Sequence, residues 1–178
     1  MISQNSYGDT PKIHNTAFIH PTAVIIGNVR IGKNVFVGPW AVIRADEPET
    51  CIVIGDNCNV QDRVIVHSLQ HTSVSVAEGA SLSHGCIVHG PAKIGKKCFV
   101  GFGSVVFNSA LGDGVVVKHL AVIEEAVIPA GKFVGPLELV NSKAKVKSLK
   151  NADKNNKTFV DKVVSVNLKL TKGYRCNC

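Results

Sequence analysis

The run 76-VAEGASLSHGCIVHGPAKIGKKCFVGFGSVV-106 places an aliphatic residue at every sixth position: Val76, Leu82, Val88, Ile94, Val100 and Val106. The spacing extends upstream through Ile19, Ile25, Ile31, Val37 and Ile43, and again through Ile54, Val60 and Val66; Val117 and Ile123 resume it downstream. Four places after most of these openers stands a small residue, among them Ala23, Ala41, Cys58, Ala80, Cys86, Cys98, Ser104 and Ala110. Gly often follows the opener directly, as at Gly32, Gly38, Gly55, Gly95 and Gly101.

A period of six is neither the 3.6 of a helix nor the 2 of an alternating strand. It reads as one short strand plus a corner, with the opener filling a core and the small residue fitting a tight bend. Three hexads make a triangular coil of about 18 residues. The pattern predicts a mainly β chain, a parallel β-helix of hexapeptide repeats, with about seven coils between Ile13 and Val134 and Ile128–Gly131 in the last of them. Residues 1–140 form this domain. Residues 141–178 are a basic segment: a polar connector over 141–152, then an amphipathic C-terminal α-helix over 153–172. Phe159, Val160, Val163, Val164, Val166, Leu168 and Leu170 supply its apolar side, which packs back on the β-helix.

Two irregular spacings set the register. Ile43 to Ile54 spans 11 residues and reads as two hexads short of one residue near Pro48. Val66 to Val76 spans 10 and reads as one hexad with a four-residue insertion over Gln70–Ser73. On this count Ile43, Val60, Leu82 and Val100 open one face, and Val66 and Val88 open the next. His67 and His89 then lie one above the other on successive coils, with backbones about 4.8 Å apart, close enough for two imidazoles to share an ion. His84 lies on the preceding face and points away from that pair within one chain. A second subunit repairs this: prisms packed about a threefold axis bring His84 of one chain to the His67–His89 pair of its neighbour, a homotrimer with three interfacial sites. Three imidazoles leave a fourth position open, the arrangement of a catalytic rather than structural Zn2+ site; Fe2+ and Co2+ suit the same donors. His14, His20 and His119 read as ordinary polar surface residues.

The register also groups Arg44, Gln61 and Ser83 at one offset, with Asp46, Glu47 and Asp62 nearby. Arg44 and Asp62 are expected to make an ion pair between subunits, Gln61 to orient a nucleophilic water, and Glu47 to accept or pass a proton.

The net charge of +7 belongs to the tail: residues 1–140 carry 10 Lys/Arg against 11 Asp/Glu, residues 141–178 carry 10 against 2. A nucleic-acid groove would spread its charge among aromatics, which are scarce here, so no nucleic acid is expected. No apolar run is long enough to span a bilayer, and no membrane association is expected. Met1–Pro11 lacks the basic head and apolar stretch of a signal peptide. The cysteines at small-residue positions behave as apolar residues rather than a disulfide framework, which fits a reducing, cytoplasmic setting. Cys176 and Cys178 form a terminal Cys-x-Cys.

Arg44-Ala45-Asp46-Glu47, Asn59-Val60-Gln61-Asp62, His67, His84-(x4)-His89-Gly90-Pro91 and Val166-Asn167-Leu168-(x)-Leu170-(x2)-Gly173-Tyr174 together resemble the γ-class carbonic anhydrases over nearly the whole chain. The resemblance implies a left-handed coil and reversible hydration of CO2 to bicarbonate by metal-activated water. It implies His67 and His89 as metal ligands with His84 of an adjacent subunit, Gln61 positioning the nucleophile, Glu47 assisting proton transfer and Asn167 orienting substrate. Arg44, Asp46, Asn59 and Asp62 would hold the interface and the site's hydrogen bonds. The chain departs from the archetype after His67, where a long acidic loop with a proton-shuttle glutamate is replaced by Leu69-Gln70-His71-Thr72-Ser73. His71 is a candidate shuttle there, since an exposed imidazole titrates near neutrality. Two rival readings follow: a weakly active or non-catalytic metal-binding scaffold of the same fold, and a hexapeptide-repeat acyltransferase using one histidine as a base.

Overall fold

The computed structural model describes residues 1–176, so Cys178 of the terminal Cys-x-Cys lies outside the described residues. Short parallel strands wind into a β-solenoid of about seven turns, and a helix closes the chain. The openers stack in three columns. Ile25, Ile43, Val66, Val88, Val106, Ile123 and Val140 form the first face. Ile31, Ile54, Val76, Ile94, Leu111 and Ile128 form the second. Val37, Val60, Leu82, Val100, Val117 and Val134 form the third. All of these are 4 % exposed or less, so the prism interior is one continuous aliphatic core.

This corrects one register. Ile43 pairs with Val66, not with the Val60 column, and Arg44 therefore pairs with His67. The 11 residues from Ile43 to Ile54 are one hexad with a five-residue excursion, not two hexads short of one. The excursion leaves at the same corner as the one after His67. Further along, the solenoid tightens: Val106 and Leu111 are five apart, which moves the buried corner position from Ala110 to Ser109, 6 % exposed. The glycines that follow openers are explained by the coil above. A Cβ on Gly95 would stand 2.6 Å from the backbone nitrogen of Asp113, and one on Gly101 2.6 Å from the carbonyl carbon of Lys118.

The solenoid runs beyond Gly131, through strands at Lys132–Val134 and Leu139–Val140. What reads as a plain connector is structured. A short helix α1 (Lys143–Ser148), capped by the Ser142 hydroxyl, leads to a strand at Lys150–Asn151. That strand pairs antiparallel with Lys132–Phe133, and Leu149 is buried beside it, so the last coil does not end in a bare edge. Helix α2 (Lys154–Cys176) then runs back along the prism. It starts where Ala152 N–H donates to Gly131 in the last coil and ends with Tyr174 stacked on Phe18 in the first, ring centroids 4.7 Å apart. Its 23 residues span about 34 Å at 1.5 Å each, the height of seven coils at about 4.8 Å. Val160 is buried and Phe159 stands edge-on to Phe99, but Val166 and Leu170 face solvent.

The three faces have different fates. On the third, the outward residues Phe36, Asn59, Ser81, Phe99 and Val116 are buried beneath α2. On the second they include Lys12, Arg30, Ser75 and Lys93 and are wet. On the first they are Val24, Val42, Ile65, Ile87, Val105, Val122 and Leu139, an unbroken aliphatic column in register. No helix among the described residues lies over it as α2 lies over the third face: Ile65 is 40 % and Leu139 46 % exposed.

Burial pushes the thiols of Cys58, Cys86 and Cys98 up from 9.0 to about 12. Alkylation of the native protein at pH 8, mapped by peptide mass, should leave these three unlabelled while they react fully in denaturant. The thiols are held neutral in the fold but ionise near 9 when unfolded. Their contribution to stability is therefore complete below pH 9 and is lost between pH 9 and about 12. Melting temperature should fall through that window, and less steeply in Cys86→Ala.

Candidate metal centre in two halves

The first face ends, on successive coils, in Arg44, His67 and His89. His67 Nδ1 stands 3.0 Å from His89 Nε2. His89 Nδ1 lies 3.3 Å from the Gly90 carbonyl. A carbonyl only accepts, so His89 carries its proton on Nδ1 and its Nε2 lone pair accepts from His67 Nδ1–H. His67 is thereby left with a bare Nε2, facing Asp46 Oδ1 and Glu47 Oε1, each at 3.5 Å. Both His67 Nε2 and Asp46 Oδ1 are buried without a partner. Burial, then the Arg44 guanidinium and His89, hold the His67 imidazole below its ordinary pKa against the pull of Glu47 and Asp46, so a proton is not the favoured way to fill the gap. A change of tautomer fills it without adding charge to the ring. If His67 Nδ1 exchanged its proton for a metal, Nε2 would carry the hydrogen and donate toward both carboxylates, the usual carboxylate–histidine–metal relation. The donor set thus fits the expected ion. Within its own chain Arg44 donates to Asp46 at 2.8 Å.

Of the remaining predicted residues, His84 and Asp62 stand at the corner at the other end of the same face. His84 occupies the corner before Ile87, half exposed, with Nδ1 3.3 Å from Asp62 Oδ2. Gln61 and Asn59 lie on the third face under α2, with Asn167 above them, 7 % exposed. One backbone carbonyl orients all three amides. Asn167 Nδ2 donates to Val163 O at 2.8 Å, which turns Asn167 Oδ1 toward Gln61. Gln61 Nε2 must then be the donor, at 2.8 Å to Asn167 and 2.6 Å to Asn59 Oδ1. Both its hydrogens are used, and Gln61 Oε1 is left to accept.

Within one chain, then, the structure joins His67 with His89, and His84 with Asp62, and keeps the two groups apart. Among the described residues no three His, Cys, Asp or Glu side chains of a single chain converge as a metal site. His71 lies outside both, 59 % exposed on the excursion after His67, with Nδ1 3.1 Å from Glu49 Oε2. Sequence reasoning missed Phe107, whose ring packs 5.5 Å from His89, and the Arg63–Trp40 cation–π pair beside His84. The signal for both was register: Phe107 continues the His67–His89 column, and Trp40, Arg63 and Gly85 share one corner offset. It also missed the apolar column between the two halves.

A family model described as bacterial transferase hexapeptide (six repeats) matches residues 10–45. The carboxysome assembly protein CcmM of Nostoc sp. is 38% identical over 175 residues, covering 93% of this chain and 31% of that protein. The chain therefore spans less than a third of that relative's length. The carbonic anhydrase of Methanosarcina thermophila is 33% identical over 192 residues, covering 96% of this chain and 77% of that protein. Among solved structures, a putative acetyltransferase from Bacillus cereus superposes with a TM-score of 0.85 over 100% of this chain and 98% of its own, at 20% identity, a likeness of fold alone.

Asn167→Leu should remove both amide contacts, leaving the Gln61 side chain and the Val163 carbonyl without their partner. Chemical denaturation should show a loss of about 1–3 kcal/mol with little change in the slope against denaturant.

Proposed function

This chain belongs to the hexapeptide-repeat family of the Methanosarcina thermophila carbonic anhydrase, and from that premise we propose that it hydrates CO2 reversibly to bicarbonate in a homotrimer, with three sites between subunits. The observation that carries the reading is the uncovered aliphatic column with one half-site at each end: the His67–His89 pair at one edge, His84 at the other. The two edges differ, so a copy of the chain would meet this face in a heterologous contact, and three prisms about a threefold axis would close it as a ring. That contact would cover the column and bring the neighbour's His84, Gln61 and Asn167 to the pair.

His67, His89 and the neighbour's His84 would hold the ion, with zinc the default and iron(II) or cobalt(II) suited to the same donors. Bound there, it would act as a Lewis acid that makes water nucleophilic at neutral pH. The chain's own groups do the rest. His89 is fixed in its tautomer by Gly90, and Asp62 performs the same service for His84. Gln61 accepts a hydrogen bond through Oε1 and so turns a lone pair of the attacking oxygen away from itself. Glu47, beside His67 and partly exposed, receives the released proton. The aliphatic column and Phe107 wall the site and favour an apolar substrate such as CO2.

A second reading rests on the short excursion after His67, which carries no carboxylate, together with the match to a carboxysome assembly protein. In it the trimer keeps its metal and serves chiefly as an assembly platform.

Purified anaerobically and supplied with zinc or iron(II), the protein should hold about one ion per chain. Stopped-flow CO2 hydration should be measurable, and His89→Ala should lose both metal and activity. A trimer that takes up no metal would sink the reading; a metallated, inert trimer would favour the platform. Ile65→Lys with Ile87→Lys should yield monomers in sedimentation velocity, with the far-UV spectrum of the solenoid intact.

A further inference from the structure

The excursions after Ala45 and after His67 leave the solenoid at the same corner on adjacent coils, and the strands they lead to, Cys51–Ile54 and Ser73–Val76, pair directly. They lie one on the other and are tied at three points. Gln70 N–H donates to Glu47 Oε2 at 2.7 Å. His71 N–H donates to the Pro48 carbonyl at 3.0 Å. The His71 ring reaches Glu49 at 3.1 Å. The ring's other nitrogen is 2.9 Å from Gln70 Nε2. An amide nitrogen only donates, so His71 Nε2 accepts and Nδ1–H is the donor to Glu49. His71 and Glu49 both have left-handed backbones, φ 58° and 55°, and their side chains meet at the surface of the two excursions. Within the excursions, Thr50 Oγ1 donates to Glu47 O and Thr72 Oγ1 to Leu69 O, so each loop is internally braced.

We propose that His71, with Gln70 and Glu49, is a clasp that positions Glu47. Glu47 is a partly exposed side chain with free rotamers; its Oε1 faces His67 Nε2 only while Oε2 is held by the Gln70 amide. His71 holds that amide in place from both sides: through its backbone to the Pro48 carbonyl and through its ring to Glu49 and the Gln70 side chain. Both ring nitrogens are engaged, so this role differs from carrying protons. Glu49, Gln70 and His71 are positioning residues, acting on the reaction through Glu47. The inference rests on the proposed function for its catalytic consequence but not for the clasp itself.

Hydrogen exchange of the Gln70 amide reads the clasp directly, with or without metal. In the full chain that amide should exchange slowly, and at least about tenfold faster in His71→Ala and in Glu47→Ala, since each breaks a charge-assisted or supporting bond. His71→Asn should restore most of the protection, because Asn tolerates the left-handed backbone and keeps a donor toward Glu49. In steady-state kinetics His71→Ala should lower kcat about tenfold at unchanged KM, with His71→Asn recovering it and added imidazole having no effect. A Gln70 amide equally fast in wild type and His71→Ala would overturn the clasp. So would rescue of His71→Ala by imidazole with His71→Asn still impaired, the signature of a proton shuttle. If the trimer proves inert, the exchange rates still decide the clasp.

Discussion

Parallel hydrogen bonding between successive coils, at a spacing of about 4.8 Å, is the constraint from which the rest of this molecule follows. Each backbone group on a face is paired with the coil above and below, so a side chain's position in one coil dictates what it stacks against in the next. The core is a consequence: an opener lies on an opener through the whole prism, and only aliphatic residues survive there. The close approach also explains the glycines after openers, where a Cβ would meet the neighbouring backbone. It explains the histidines too. Two imidazoles at the same register on adjacent coils are forced within hydrogen-bonding range, whether or not an ion joins them.

Much of this was legible in the chain itself. The hexads announce the solenoid, and the stacking of His67 on His89 follows from counting between Val66 and Val88. Arg44 was misplaced because 11 residues satisfy two descriptions equally: two hexads short of one, or one hexad with five residues looped out. Composition around Pro48 does not choose between them; only the pairing of Cys51–Ile54 with Ser73–Val76 does. The strand at Lys150–Asn151 was invisible for a different reason. It is polar, two residues long, and exists only because the last coil offers an edge to pair with. The column Val24–Val42–Ile65–Ile87 was hidden by expectation, since a strand residue beside a buried opener is ordinarily turned to water.

The division of the candidate site into two halves is a property of the prism rather than an accident of placement. A triangular coil is convex, and the large groove within this chain forms where α2 lies against the third face, between Lys97 and Val116 on one side and Val160 and Leu168 on the other, away from the His67–His89 pair. Residues at the two ends of a face can converge only when another prism lies against it. The orphaned His67 Nε2 and Asp46 Oδ1, buried together without a partner, mark a surface whose hydrogen bonding is incomplete in isolation. The polar network beneath α2, by contrast, draws on Val163, Asn167, Gln61 and Asn59 within one chain. One group is therefore internally satisfied in the single chain and the other is left open.

Helix α2 changes how the molecule comes apart. A stack of repeats is nearly one-dimensional: each coil knows only its neighbours, and the ends can fray while the middle holds. Here the helix spans the full height, fastened at Gly131 in the last coil and at Phe18 in the first. It introduces contacts of large sequence separation, Tyr174 with Phe18 and Asn167 with Gln61. Loss of the first coil then loosens the end of the helix, and a loosened helix uncovers the third face of every coil beneath it. A string of weakly coupled units becomes a single cooperative one, at the cost of slower folding, since so long a loop must close before the splint can dock.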